Sequence, residues 1–321
     1  MESVTKHKQT RETIGAMVSK AFPGLGAARI AELKEGFFNA AYSVELSDGR
    51  ETVLKIAPPT DAVIMTHEQD IMLSEVEALR LVAERTNVPV PSVLFYGRGN
   101  DGFGSDYFFA EKLRGRSYNS MRAELGDAAR AAIDRQVGQL NARINVITGE
   151  RFGYFGQPQR QGRVWIDVFR SILQDAVRDA ERRDIALPVD FQTLAALLDR
   201  DAPHFAEVAE PRLVHWDLWS GNVFVEYGRV TGLIDFERCL WAEPLMEAGF
   251  RAINVNSSFL EGYGMGALSV SESARSRWYD MYLYLISALE CDYRKYPDRG
   301  VYDWAVRMIG ECQAAIETGT A

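Results

Sequence analysis

The chain has 321 residues, of which 47% are hydrophobic and 25% charged. That is the composition of a folded globular protein, and it excludes disorder, collagen-like repeats and coiled coil. Thirty-six Lys and Arg stand against 45 Asp and Glu, a formal net charge of −9. A field of that sign does not draw the chain to nucleic acid or anionic lipid, and it mildly favours a cationic partner. Cys239, Cys291 and Cys312 form no CxxC pair, and His7, His67, His204 and His215 show no HExxH spacing. This argues against a disulfide framework or a Cys-rich zinc site and points to the reducing cytoplasm. The N-terminus is polar, without the apolar core of a secretory signal, and no run of ~20 apolar residues predicts a membrane span.

Residues 10–22 read as a short amphipathic helix capped by Thr10 or Thr13 and ended by Pro23-Gly24. Segments 29–35, 40–46 and 52–57 read as strands, with a hairpin turn at Ser47-Asp48-Gly49. Residues 68–85 place Ile71, Leu73, Val76, Leu79 and Val82 at helical spacing. Strands follow at 93–97 and 106–113. Beyond residue 120 helices are predicted at 123–147, 165–183, 190–208, 272–293 and 301–317. The pattern changes near Leu113-Arg114-Gly115. The expected fold is therefore α+β and bilobal, with a strand-rich N-lobe (1–113) and a mainly helical C-lobe (114–321).

The most informative stretch runs from Arg212 to Glu237. It holds His215, Asp217 and Asn222 in the pattern HxDxxxxN. A hairpin turning at Tyr227-Gly228 follows, and its second strand ends on Asp235-Phe236-Glu237. The hairpin brings the loop with Asp217 and Asn222 close to Asp235. Phosphoryl transfer from a nucleotide needs these groups. One carboxylate accepts the proton of an attacking hydroxyl. A second carboxylate and an amide oxygen hold Mg²⁺, a hard cation that prefers oxygen.

Trp216-Asp217-Leu218-Trp219-Ser220-Gly221-Asn222 and Ile234-Asp235-Phe236-Glu237 resemble the catalytic loop and metal-binding segment of the aminoglycoside phosphotransferase/choline kinase superfamily. Its members are small-molecule kinases with a protein-kinase-like fold. The DLWSGN wording is particularly similar to fructosamine-kinase-like branches. The resemblance extends over nearly the whole chain. Gly36-Phe37-Phe38-Asn39-Ala40-Ala41-Tyr42 is similar to the family's nucleotide-covering turn. Val53-Leu54-Lys55-Ile56 is similar to the strand with the phosphate-binding lysine, and Ser74-Glu75-Val76-Glu77 to the helix whose glutamate pairs with it. Residues 138–145 and Phe152-Gly153-Tyr154 match a middle helix and turn, although Ile144-Asn145 replaces the usual Leu-His.

The resemblance implies ATP (or GTP) as donor and Mg²⁺ as cofactor. It implies Asp217 as the group that orients and deprotonates the acceptor hydroxyl, and Asn222 and Asp235 as metal ligands. Lys55, held by Glu75, would contact the phosphates beneath the Asn39 turn, and the Ala110 carbonyl and Lys112 amide would bind adenine. Between Glu75 and Glu77, helical direction favours Glu75 as the partner of Lys55, because an unpaired buried ammonium is costly. The acceptor would be a small hydroxylated molecule, with a cationic one among those allowed. An antibiotic such as an aminoglycoside, an amino alcohol, a sugar and a fructosamine-like adduct are all allowed. The oligomeric state is left open.

Other signals read as structural. Gly97–Gly102 matches GxGxxG but lies between strands, so it is expected as a hairpin loop rather than a dinucleotide site. His215 is expected to brace the loop, and Ser220 to lie in a tight turn. Trp241, Trp278, Tyr263 and Trp304 are expected in the core. Residues 262–266 read as a candidate mobile loop over the acceptor. A protein kinase and a catalytically silent nucleotide-binding protein are the rival readings. The short separation of Asp217 from Asp235 opposes the first, and the joint presence of Lys55, Asp217, Asn222 and Asp235 opposes the second.

Overall fold

The computed structural model describes residues 5–34, 36 and 38–319. Helix α1 (Arg11–Ala21) is capped by Thr10, whose side chain accepts from the Thr13 amide. Strands β1 (Ala27–Leu33), β2 (Ala40–Leu46) and β3 (Glu51–Ile56) follow, then α2 (Ile71–Arg85), β4 (Val93–Gly97) and β5 (Tyr107–Glu111). The five strands form an antiparallel sheet in the order β1-β2-β3-β5-β4. Side chains alternate across a strand, so this sheet has two differently used faces. Leu54, Ile56, Tyr107 and Phe109 pack with Ile14, Met17 and Val18 of α1. Phe108 and Ala110 point the other way and pack with Val76 and Leu79 of α2 in the larger core. Lys55, between Leu54 and Ile56, is thereby turned toward α2.

The second part contains β6 (Arg116–Ser117), α3 (Tyr118–Met121), α4 (Asp127–Ile144), β7 (Gly153–Tyr154), α5 (Trp165–Glu181) and α6 (Phe191–Asp201). Then come β8 (Arg212–Val214), the hairpin β9 (Val223–Glu226) and β10 (Arg229–Leu233), β11 (Leu240–Ala242), α7 (Ser257–Tyr263), α8 (Val270–Tyr293) and α9 (Gly300–Thr318). Two small sheets, β10-β9-β6 and β7-β11-β8, are set among the helices. The fold is thus mixed α and β, with the antiparallel sheet in the N-terminal part and helices dominating the C-terminal part.

Several boundaries differ from expectation. The helix expected over 68–85 starts at Ile71, because Thr66–Glu68 forms a 3-10 turn and Asp70 is left-handed at φ 55°. The helix expected over 190–208 ends at Asp201, and a 3-10 turn takes over at Ala202–Phe205. Pro203 lacks the amide that would continue the helical ladder. The loop expected over 262–266 is partly helical, since Gly262 and Tyr263 belong to α7. A Cβ on Gly262 would lie 2.0 Å from the Arg135 carbonyl oxygen, and one on Gly138 would lie 2.1 Å from that of Phe259. Helices α4 and α7 therefore meet backbone to backbone, and the start of the segment is fixed against α4. Gly97–Gly102 links β4 to β5 as expected.

Gly138→Ala should force this helix pair apart. We expect a loss of about 1–3 kcal/mol or more, read as a drop of several degrees in Tm by thermal unfolding. A Tm equal to that of the wild type would contradict the close packing.

Candidate active site

The β9–β10 hairpin positions Asn222 just before the start of its first strand and Asp235 just past the end of its second. Its two-residue turn, Tyr227-Gly228, has positive φ at both positions (50° and 75°), the type I′ geometry that suits strand twist. At the open end the Ile234 amide donates to the Asn222 carbonyl at 3.0 Å. Asn222 and Asp235 are thus locked side by side. The Asn222 Nδ2 donates to the Asp217 carbonyl at 2.8 Å and approaches the Asp235 Oδ2 at 3.4 Å. The three residues singled out from HxDxxxxN and IDFE converge.

The loop itself is strained and braced. Trp216 sits at φ 67° and Asp235 at φ 70°, left-handed conformations that cost non-glycine residues roughly 1–3 kcal/mol each. Glu247, fully buried, counters the first. Its carboxylate accepts from the His215 amide at 2.9 Å and the Trp216 amide at 3.1 Å. It also accepts from Asn141 and Asn145, each at 2.8 Å. Asn145, where the resemblance leads one to expect His, is therefore a brace, and it also donates to the Leu213 carbonyl. His215 is buried, bonds the Ile234 carbonyl at 3.0 Å and packs on Phe236, in keeping with a bracing role. Ser220 contacts Asn119 rather than any nucleophile partner. Trp278 is a core residue, while Trp241, Trp304 and Tyr263 are partly buried against the core.

Lys55 is the hub of the cleft. Its Nζ donates to Glu75 of α2 at 2.6 Å, to Asp235, and to Glu237 at 3.2 Å. Glu77 is exposed and pairs with Arg80 instead. Asn39 is buried and its Nδ2 donates to Glu237, which ties the turn before β2 to the far side of the cleft. Phe37, in the same turn, lies outside the described residues. Glu237 was not among the expected site residues. Its signal was present in the sequence as a second acid two positions after Asp235.

Three acids sharing one cation titrate unequally. Burial opposes the charge on Lys55, yet the attraction of Asp235, Glu237 and Glu75 holds its ammonium well above the usual lysine range. Burial also opposes ionisation of Asp235, but contact with Lys55 brings its carboxyl below the usual value. Glu75, buried and facing two other acids, is pushed up to about 8 despite Lys55. Burial raises Glu237 as well. Carboxylate oxygens of Glu75, Asp235 and Glu237 all lie within 4.8 Å of one another. Among the described residues the buried Asn39 Oδ1 has no hydrogen-bond partner. Clustered carboxylate and amide oxygens of this kind suit a hard divalent cation such as Mg²⁺.

Asp217 is half-buried, and among the described residues no group donates a hydrogen bond to its side chain. Burial raises its carboxyl against the pull of Arg238 and Arg251. Ala110 is buried on β5 beside Val53. The Lys112 amide makes a long 3.4 Å bond to the Glu51 carbonyl of β3, so an adenine contact there would replace a weak ladder bond.

Asp280 of α8 is 5% exposed and accepts from the Ala252 amide at 3.3 Å. Burial pushes its carboxyl up to about 6. The folded state then binds this proton more tightly than the unfolded chain, so its contribution to stability is present below about pH 4 and is lost as pH rises to 6. Asp280→Asn should remove up to about 3 kcal/mol of that decline. Denaturant unfolding of both proteins between pH 4 and 7 checks this; parallel curves would contradict it.

The sequence profile of the phosphotransferase enzyme family matches residues 29–279. Among curated proteins, acyl-CoA dehydrogenase family member 11 of Homo sapiens is 24% identical over 260 residues, 77% of this chain, and its Pongo abelii counterpart matches equally. The chain spans 31% of the length of these relatives. Solved structures with the same fold include the aminoglycoside phosphotransferase APH(4)-Ia with AMP-PNP and hygromycin B, at TM-score 0.67 and 18% identity, covering 96% of this chain and 99% of that one. A candidate fructosamine-3-kinase from Thermobifida fusca has TM-score 0.68 and 20% identity, covering 94% and 99%. The GDP and kanamycin complex of a second aminoglycoside phosphotransferase, APH(2")-IIia, has TM-score 0.64 and 18% identity, covering 94% and 98%. With the profile match spanning well over half of its length, this chain belongs to the phosphotransferase enzyme family, the small-molecule kinases of protein-kinase-like fold.

Proposed function

We propose that the protein transfers the γ-phosphoryl group of ATP (or GTP) to a hydroxyl of a small molecule. The observation that carries this reading is the meeting of Asp217, Asn222 and Asp235 at the open end of one hairpin, opposite the Lys55–Glu75 pair. Residues 1–113 form the nucleotide-covering lobe, and residues 114–321 carry the catalytic loop and the acceptor-binding helices. The nucleotide complexes of the structural relatives support a nucleotide donor.

Asp217 receives the acceptor hydroxyl and takes its proton as the oxygen bonds to the γ-phosphorus. The bond from that phosphorus to the β–γ bridging oxygen breaks, and the nucleoside diphosphate leaves with the electron pair. A side chain with no internal hydrogen-bond donor is free to hold an incoming hydroxyl. Lys55, kept in place by Glu75, moves its ammonium from Asp235 to the phosphates. Asp235 and Asn222 would hold Mg²⁺, with Glu237 as a further oxygen donor. When bound, such an ion neutralises charge on the transferring group. Asn39 covers the phosphates from the N-lobe, and the Ala110 carbonyl and Lys112 amide bind the base. Because the transition state is loose, positioning matters more than base strength.

The titrations give this arrangement a direction. In the free protein Lys55 is occupied by Asp235. With Mg²⁺ held by Asp235 and the phosphates by Lys55, each partner would gain a replacement counter-charge. The acceptor class extends from hydroxylated antibiotics to amino alcohols, sugars and fructosamine-like adducts. A screen of nucleotide consumption over such compounds, joined to resistance tests in cells expressing the chain, identifies it. We place the reaction in the cytoplasm, where nucleotide is available. Among the described residues no helix is long and apolar enough to cross a membrane.

Asp217→Ala should lower kcat by on the order of 10²–10⁴ without lowering Tm, since the carboxylate is desolvated and accepts no internal hydrogen bond. Asp235→Asn should abolish metal-dependent nucleotide turnover. Steady-state kinetics with calorimetry on both variants is the check, and wild-type rates in either would break the assignment.

A further inference from the structure

The surroundings of Asp217 are marked by two arginines. Arg251 lies 4.6 Å from the Trp216 ring centroid and Arg238 lies 5.4 Å from it. Arg251 donates through one terminal nitrogen to the Trp216 carbonyl, the peptide group that leads directly into Asp217. Arg238 is neutralised by Glu290 at 2.6 Å. Arg251 is different. Among the described residues no carboxylate lies within ion-pairing distance of it, and its one hydrogen bond is the bond to Trp216. A guanidinium has five N–H donors in a planar fork, so most of this fork is unused, and the side chain is only half-buried.

The charges that face Arg251 are Asp217, Asp280, Glu247 and Arg238. Glu247 is committed to the His215 and Trp216 amides. Asp280 is buried against the Ala252 amide. Apart from Asp217 itself, these surroundings offer no free acid to a polycationic acceptor, but they do offer a free cationic fork.

We infer that Arg251 is a specificity-determining residue that binds an anionic group of the acceptor, so that the substrate is a small hydroxylated molecule bearing a carboxylate or a phosphate. This rests on the phosphotransfer reading above. A planar fork suits either anion, since both accept paired N–H bonds. The anion at Arg251 fixes the orientation of the molecule while its hydroxyl reaches Asp217. Charge neutralisation at Arg251 also keeps a second negative group from opposing approach to the triphosphate.

The test uses the full chain with Mg–ATP, following ADP release and phosphorylated product. The probes are 3-hydroxybutyrate and 3-hydroxyoctanoate, their methyl esters, glycerol 3-phosphate, glycerol and kanamycin. We expect at least one acid to exceed its neutral counterpart by tenfold or more in kcat/KM. The 3-hydroxy acids and glycerol 3-phosphate separate a carboxylate from a phosphate preference. R251Q should raise KM for the anionic acceptors by about 10- to 100-fold and erase the acid-over-neutral ratio, with R251K restoring part of it. The wild-type ranking decides the question even if R251Q does not fold. Equal use of acid and neutral counterpart, preference for kanamycin, an unchanged ratio in R251Q, or ADP release without phosphorylation of any anionic probe overturns the inference. Absence of ADP release under every condition instead removes the phosphotransfer reading, and this inference with it.

Discussion

The cleft is organised by one ammonium shared among three carboxylates. Lys55 stands on the central sheet, Glu75 on the helix behind it, and Asp235 and Glu237 on the segment after the hairpin in the other half of the molecule. The sheet and α2 are held in register by the Lys55–Glu75 pair, and the hairpin segment is held against both. The same cluster has an intrinsic imbalance, since one positive charge cannot satisfy three buried acids. The excess appears as raised carboxyl groups on Glu75 and Glu237. A site that is electrostatically incomplete by itself is suited to receive a metal–polyphosphate.

A second buried acid does the opposite work. Among the described residues Glu247 meets no cation at ion-pairing distance, yet its two oxygens accept four hydrogen bonds from the backbone at His215 and Trp216 and from two asparagines of α4. A buried carboxylate surrounded by neutral donors is a rigid brace, because moving it would expose a charge to an apolar interior. It holds Trp216 in a left-handed conformation that an aromatic residue does not adopt unaided. That conformation sets where Asp217 stands. Strain at Trp216, the brace at Glu247 and the open carboxylate at Asp217 are three parts of one device.

Electrostatics around Asp217 follow a different plan from that around Lys55. Around Lys55 the acids outnumber the cation. Around Asp217 two guanidinium groups face one carboxylate, and burial opposes their pull on it. The net charge of −9 carries none of this information, because it averages over the surface.

Much of the core machinery was legible in the chain. The period-2 pattern of 40–46 and 51–56 gave the sheet and the lysine strand, and the helical spacing of Ile71, Val76, Leu79 and Val82 gave the helix carrying Glu75. HxDxxxxN followed by a hairpin and IDFE brought together Asp217, Asn222 and Asp235. These are local patterns, and local hydrogen bonding and side-chain alternation suffice to fix them. Other features were not legible, because they depend on which distant backbones touch. Gly138 falls inside an expected helix and Gly262 in an expected loop, yet it is their lack of a side chain that lets α4 and α7 meet. Glu247 and Arg251 are separated from Asp217 by a hairpin and a strand, and nothing in their own neighbourhood of sequence marks them. Only the folding of the segment after β11 back onto the loop of Asp217 decides that one acid braces Trp216 and that one arginine, among the described residues, has no carboxylate partner, since burial and charge pairing are properties of the assembled interior rather than of the chain.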